Sequence, residues 1–156
     1  DGVVYVNFYD TVFFDGEEYV IKPEGEETLN VVCGVLDNAA PYIDEVRVLG
    51  HTAQVRADDP NPAPGDRRIA SGRAATVAAY IQEGIPIERL HPARIVDEGH
   101  GQWLNVAPHD GTEANRVKNR RVELIITGMD LDSTLGDSVT QYRTMYQTTQ
   151  ELKTTG

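Results

Sequence analysis

The spacing of apolar residues changes period several times along the chain, and each change restricts the fold more than composition does. VVYVNF, residues 3 to 8, is rich in β-branched and aromatic types and reads as a strand. From Pro23 the period becomes helical. Leu29, Val32, Cys33 and Leu36 recur at three and four, Glu24, Glu26 and Glu27 suit the positive end of the dipole, and Pro41 marks the stop. EVRVLG, residues 45 to 50, alternates again. A second helix is predicted from about Asp66 to Glu83, with Ala70, Ala74, Val77, Ala78 and Ile81 facing inward and Gly84 as its stop. ARIVDEG, residues 93 to 99, reads as a strand, Glu113 to Lys118 as a short helix, and RVELIITG, residues 121 to 128, as the most regular strand. This order predicts an α+β fold, a two-layer α/β sandwich of βαβαβ type: a mixed sheet with two main helices on one face and a short extra helix.

A chain of 156 residues suits one main domain, placed at 1–128, with 129–156 as a separate tail. In that tail Leu131, Leu135, Val139, Tyr142 and Tyr146 keep helical spacing, while Gly136 and several threonines weaken it. The net charge of −11 argues against duplex nucleic acid, whose phosphates recruit Lys and Arg. Cys33 is the single cysteine, which excludes an internal disulfide, and its apolar neighbours make it a buried small hydrophobe. No stretch approaches the roughly 20 apolar residues of a membrane span. A first residue that is Asp1 and not Met is expected of a processed chain or an excised domain, which leaves an upstream anchor open.

Arg73 stands out because it lies four residues after Ile69 and four before Val77, on the helix face that is otherwise apolar. Two readings stand: an internal salt bridge, or a guanidinium that reaches solvent beside the loop after Leu49 and receives a ligand carboxylate bidentately. The second is favoured, because the GHTAQ loop at the end of one strand feeds into this helix and brings Arg73 near His51 and Thr52. The cluster Lys118, Asn119, Arg120 and Arg121 is either a set of solvated charges at a helix end or a second anion contact, and Asn119 could equally tie down the turn. His51, His91, His100 and His109 form no metal-binding spacing, and Ser71 has no nucleophile-elbow glycines, so neither a metal nor a catalytic centre is expected. Asp58 and Asp59 could hold a cation, and Trp103 is a packing anchor or a sugar platform.

Taken in order, IKPEGEETLNVVCGVLD, VRVLGHT, IASGRAATVAAYI, EGIPIERL, ARIVDEGHGQW and NRRVELIITG resemble the peptidoglycan-binding domain of OmpA-like outer-membrane proteins, Pal-like lipoproteins and MotB-like flagellar stator subunits. The resemblance covers about residues 4 to 128. It implies a non-catalytic wall-binding domain without cofactor or metal, in which a Gly-His-Thr-Asp loop and a helix arginine grip the diaminopimelate of the stem peptide. By that comparison the ligand-binding residues are His51, Thr52, Ala53, Gln54, Arg73, Asn119, Arg120 and Arg121. Ala53 stands where the family has the loop aspartate, so Gln54, Asp58 or Asp59 must replace it, or the stem peptide differs, or wall binding is lost and an assembly module remains. The tail, the long helix and the Gly-His-Thr-Ala-Gln loop are most similar to MotB-like stator proteins. That likeness implies an extracytoplasmic homodimer, joined to a channel-forming partner subunit through an upstream membrane helix. An OmpA- or Pal-like anchor is the alternative.

Overall fold

The computed structural model describes residues 2–15, 19–54, 57, 64–129 and 131. Seven principal elements follow in the expected order: β1 (Gly2–Tyr9), α1 (Pro23–Ala39), β2 (Ile43–His51), α2 (Pro64–Gly84), β3 (Ile95–Gly101), α3 (Glu113–Asn119) and β4 (Arg121–Gly128). Pro23 and Pro64 open the two long helices, where a missing N–H costs nothing because the first amides of a helix have no intrahelical partner. The strands form one sheet in the order β1-β4-β2-β3, with β4 antiparallel to both neighbours and β2 parallel to β3. Parallel strands need a long crossover, which α2 supplies.

One core lies between the helices and one face of the sheet. Leu29, Val32, Cys33 and Leu36 of α1 and Ala74, Val77, Ala78 and Ile81 of α2 close over Val6, Phe8, Val46, Val48, Val122, Leu124 and Ile126. The α+β sandwich with two main helices on one face is therefore the observed architecture. Burial lifts the Cys33 thiol to about 11, so it stays protonated and inert.

The register fixes where a site can form. Tyr9 and His51 both pair with Arg121, so the ends of β1 and β2 meet the start of β4. Helix α2 then presses onto the same end: a Cβ at Gly50 would overlap the Ala70 carbonyl, and one at Gly99 would overlap the Ser71 side chain. Glycine is required at these two strand positions so that the backbone of α2 can approach the sheet directly. The expected cation holders Asp58 and Asp59, and the tail beyond Leu131, lie outside the described residues.

Gly50→Ala is expected to destabilise the fold by about 2–3 kcal/mol, because backbone must shift to admit the methyl group. Gly34→Ala, at an exposed α1 position with no atom within 4 Å of the added carbon, should instead stabilise by up to about 1 kcal/mol. Urea midpoints of the two variants check the contrast.

Candidate binding cleft

The segment after β1 builds one wall. Asp10 opens a short 3-10 turn, Asp10–Val12, and its amide donates to the Arg120 carbonyl at 3.0 Å while its own carbonyl accepts from Phe13 and Phe14. Phe13 and Phe14 are buried in an aromatic cluster with Phe8. The turn therefore cannot swing away without exposing three rings. It holds the Asp10 carboxylate at the end of the sheet, 5% exposed.

Arg73 meets this carboxylate. Its Nη1 donates to Asp10 Oδ2 at 2.7 Å, and its guanidinium carbon lies 5.1 Å from the Phe14 ring centre. Arg73 is only 3% exposed, so the expectation of a guanidinium reaching open solvent is corrected: the internal salt bridge is what forms. A bare guanidinium at that apolar position would be costly, and an aspartate from the turn after β1 neutralises it. Arg120 approaches the other oxygen, Asp10 Oδ1, at 3.9 Å and donates to Glu113 Oε1 at 2.6 Å.

A cleft of about 380 Å³ opens around this pair. It is lined by Asp10, Thr11, Phe14, Thr52, Ala53, Asp66, Ile69, Arg73, Arg116 and Arg120. Three guanidiniums and two carboxylates line it, and a third carboxylate, Glu113, pairs with Arg116 and Arg120 at its rim. Thr52 is 8% exposed, and its Oγ1 has no hydrogen-bond partner among the described residues. A buried hydroxyl without a partner is uncommon and suits a ligand contact. Arg116 and Arg120, each with a side chain 30% exposed, are the accessible cations.

Of the eight residues expected at the site, Thr52, Ala53, Arg73 and Arg120 line the cleft, and four do not. Asn119 is 1% exposed and spends its amide on the chain itself: Oδ1 accepts from Val106 and Ala107 at 2.9 Å each, and Nδ2 donates to the Ala107 carbonyl at 3.1 Å. It ties down the preceding loop. Arg121 is buried and donates to the carbonyls of Leu104 and Asn119 at 3.0 and 3.4 Å, on the sheet face away from the helices. Gln54 is buried outside the cleft. His51 is 2% exposed, stacked on His100 at 5.4 Å between ring centres, with Nε2 3.4 Å from Glu123 Oε1. Alternation along β2, with Val46 and Val48 in the core, sends His51 to the opposite face beside Glu123, so Thr52 and not His51 enters the cleft.

The residue that sequence reasoning missed is Asp10. No local pattern singles it out, because it is one of 25 acidic residues and its partner Arg73 lies 63 positions away.

Burial holds the His51 imidazole below its ordinary range. Glu123 opposes this through its contact, and the Arg121 and His100 charges add to it. Glu123 is in turn held low, chiefly by His51. The unfolded chain therefore binds the extra proton first as the pH falls below about 6.5, so His51 contributes stability that is whole above that pH and lost towards its lower folded value. Urea midpoints should fall between pH 7.5 and 5.5, and His51→Gln should flatten that decline.

The OmpA family model matches residues 13–120. Outer membrane protein A of Bordetella avium is 32% identical over 123 residues, which cover 79% of this chain and 57% of that protein. Outer membrane protein A of Shimwellia blattae is 28% identical over 130 residues, 76% of this chain and 48% of its own. The chain thus spans about half the length of these curated relatives. Among solved structures, a putative MotB-like protein from Desulfovibrio vulgaris superposes with a TM-score of 0.69 at 20% identity, covering 81% of this chain and 76% of that one. The cell wall anchor of the type VI secretion system (T6SS) from Pseudomonas aeruginosa superposes with a TM-score of 0.65 at 21% identity, covering 81% and 82%. On the family match and the Bordetella relative together, the chain belongs to the OmpA family.

Proposed function

We propose that the domain binds the peptide stem of peptidoglycan without catalysis and serves as a wall anchor outside the cytoplasm. The observation that carries this reading is the cleft itself, where three arginines and two aspartates surround a threonine hydroxyl with no partner among the described residues, in an otherwise strongly acidic chain. Such a site suits a zwitterion: an ammonium needs a fixed carboxylate, and a carboxylate needs a fixed cation within a few ångströms. The diaminopimelate of a stem peptide offers both.

The geometry redistributes the expected roles. Asp10 takes the place of the loop aspartate that Ala53 lacks, receiving the ligand ammonium from the β1 side of the cleft. Arg73 positions Asp10. Arg120 and Arg116 receive the ligand carboxylate, and Thr52 Oγ1 completes the contact. Ala53, 8% exposed, lines the same cleft as Asp10.

The finer identity of the anchor divides along the comparisons. An OmpA- or Pal-like anchor is favoured by the sequence relatives, which are outer membrane proteins. The stator reading, with a homodimer and a channel-forming partner, draws on fold likeness to MotB domains at under 25% identity. Reading the residues that precede Asp1 in the full gene separates the two: a lone apolar span bearing an aspartate supports the stator, a barrel or a lipid-modified cysteine the alternative.

Binding is tested by titrating a soluble stem tripeptide containing diaminopimelate into the domain, and by co-sedimentation with wall sacculi. Arg120→Ala should weaken tripeptide binding by about 10- to 100-fold, since a charge-assisted bond contributes roughly 1.5–3 kcal/mol. Its partly exposed side chain makes the stability cost small. Asp10→Asn should lose a similar factor, and adding Ala53→Asp to that variant should restore binding from the loop side. A folded parent domain that neither binds the tripeptide nor sediments with sacculi contradicts the proposal.

A further inference from the structure

The loop between β3 and α3 exposes Trp103, Leu104, Asn105 and Val106 in succession, the three apolar side chains at 54%, 50% and 64% exposure. Such a run on a surface loop ordinarily costs hydration and is relieved by folding the loop inward. Here the backbone is held fast in the outward arrangement. Gly101, at φ 61°, turns the chain out of β3, and its carbonyl accepts from Thr52 N at 2.9 Å. Buried Arg121 grips the Leu104 carbonyl, Asn119 grips residues 106 and 107, and the His109 ring meets the Gln102 carbonyl at 3.0 Å. Two buried polar side chains thus brace a loop whose indole faces water. A rigid aromatic presented in this way loses little entropy when it is covered.

We infer that Trp103 and its neighbours form a platform for the glycan strand of the wall, so that the domain reads sugar and peptide at adjoining places. The inference rests on the proposed stem-peptide reading of the cleft. Two observations favour a sugar polymer as occupant. Residues 99–109, GHGQWLNVAPH, carry no Asp, Glu, Lys or Arg, although a quarter of the chain is charged. An uncharged surface suits an uncharged, amphipathic amino-sugar chain, whose C–H faces stack on an indole. The loop is also tied to the cleft through the backbone: the indole lies beside Gly101, whose carbonyl accepts from the amide of Thr52, a residue that lines the cleft. On this inference the peptide and glycan of one wall fragment reach the two places around the end of the sheet, and linked contacts then raise affinity through effective concentration.

Trp103 is the single tryptophan, so its emission reports this loop alone. Three probes are titrated into the intact chain: a disaccharide carrying the stem peptide, the same stem peptide without sugar, and peptide-free glycan strands. The inference expects saturable changes in emission with the first and third. It also expects the disaccharide-peptide to bind about tenfold tighter than the bare peptide. Trp103→Ala should remove that tenfold increment and leave bare-peptide affinity within twofold, while Trp103→Phe should retain most of it. Equal affinity for the two peptide probes overturns the inference, as does an equal loss of both in Trp103→Ala. Emission that shifts only with protein concentration also overturns it, since a second copy would then occupy the loop. If no peptide binds, the cleft reading fails by itself: a response to glycan strands alone upholds the platform, and silence to all three probes rejects it.

Discussion

The buried pair of Asp10 and Arg73 sets the rest of the site. An arginine on the apolar face of a long helix is tolerable only if a carboxylate reaches it, and the carboxylate that does so comes from a turn pinned by two buried phenylalanines. Replacing both partners with apolar residues of similar shape would often be neutral or stabilising in an ordinary core. Here the pair sits at the wall of a cleft, beside a second guanidinium and a hydroxyl without a partner. On the proposed reading, ligand recognition accounts for a charge pair in that place.

That arrangement alters what Arg73 can do. With one guanidinium nitrogen committed to Asp10 at 2.7 Å, Arg73 offers an incoming carboxylate less than Arg116 and Arg120, whose side chains are 30% exposed. On the proposed reading its part is to fix the charge and direction of Asp10, so that little reorganisation is needed when a cation arrives. The exchangeable electrostatics belong to Arg116 and Arg120, which are partly solvated and share Glu113. Arginine suits this role because its planar fork meets a carboxylate in two directions.

Most of the architecture was legible in the sequence, because each element repeats its apolar period often enough to be read. Val122, Leu124 and Ile126 marked one face of β4, and Ala70, Ala74, Val77, Ala78 and Ile81 the inner face of α2. The same alternation, carried one step further, places Arg121 and Glu123 on the face opposite the core and so away from the cleft. Asp10 was illegible for two reasons. It is one of 25 acidic residues, and its partner is 63 positions away, so no local pattern distinguishes it. It also precedes residue 13, where the OmpA family match begins. His51 was misplaced because β2 runs one residue beyond the expected strand, and the alternation that buries Val46 and Val48 then sends His51 to the opposite face.

The start of β4 joins the two surfaces of the site. Arg120 and Arg121 are consecutive, and the alternation of an extended chain sends them to opposite sides. Arg120 lines the cleft and accepts the Asp10 amide through its carbonyl, while Arg121 passes to the other face and holds Leu104 in the exposed loop. Asn119, one residue earlier, binds the same loop at Val106 and Ala107. Three successive residues thus anchor the acidic wall of the cleft and the aromatic loop to one rigid strand. Neither surface can shift far without displacing β4, which pairs on both edges and carries three core side chains. A ligand that touches both would therefore meet a fixed spacing between charge and ring, a separation that rewards one length of wall fragment over others.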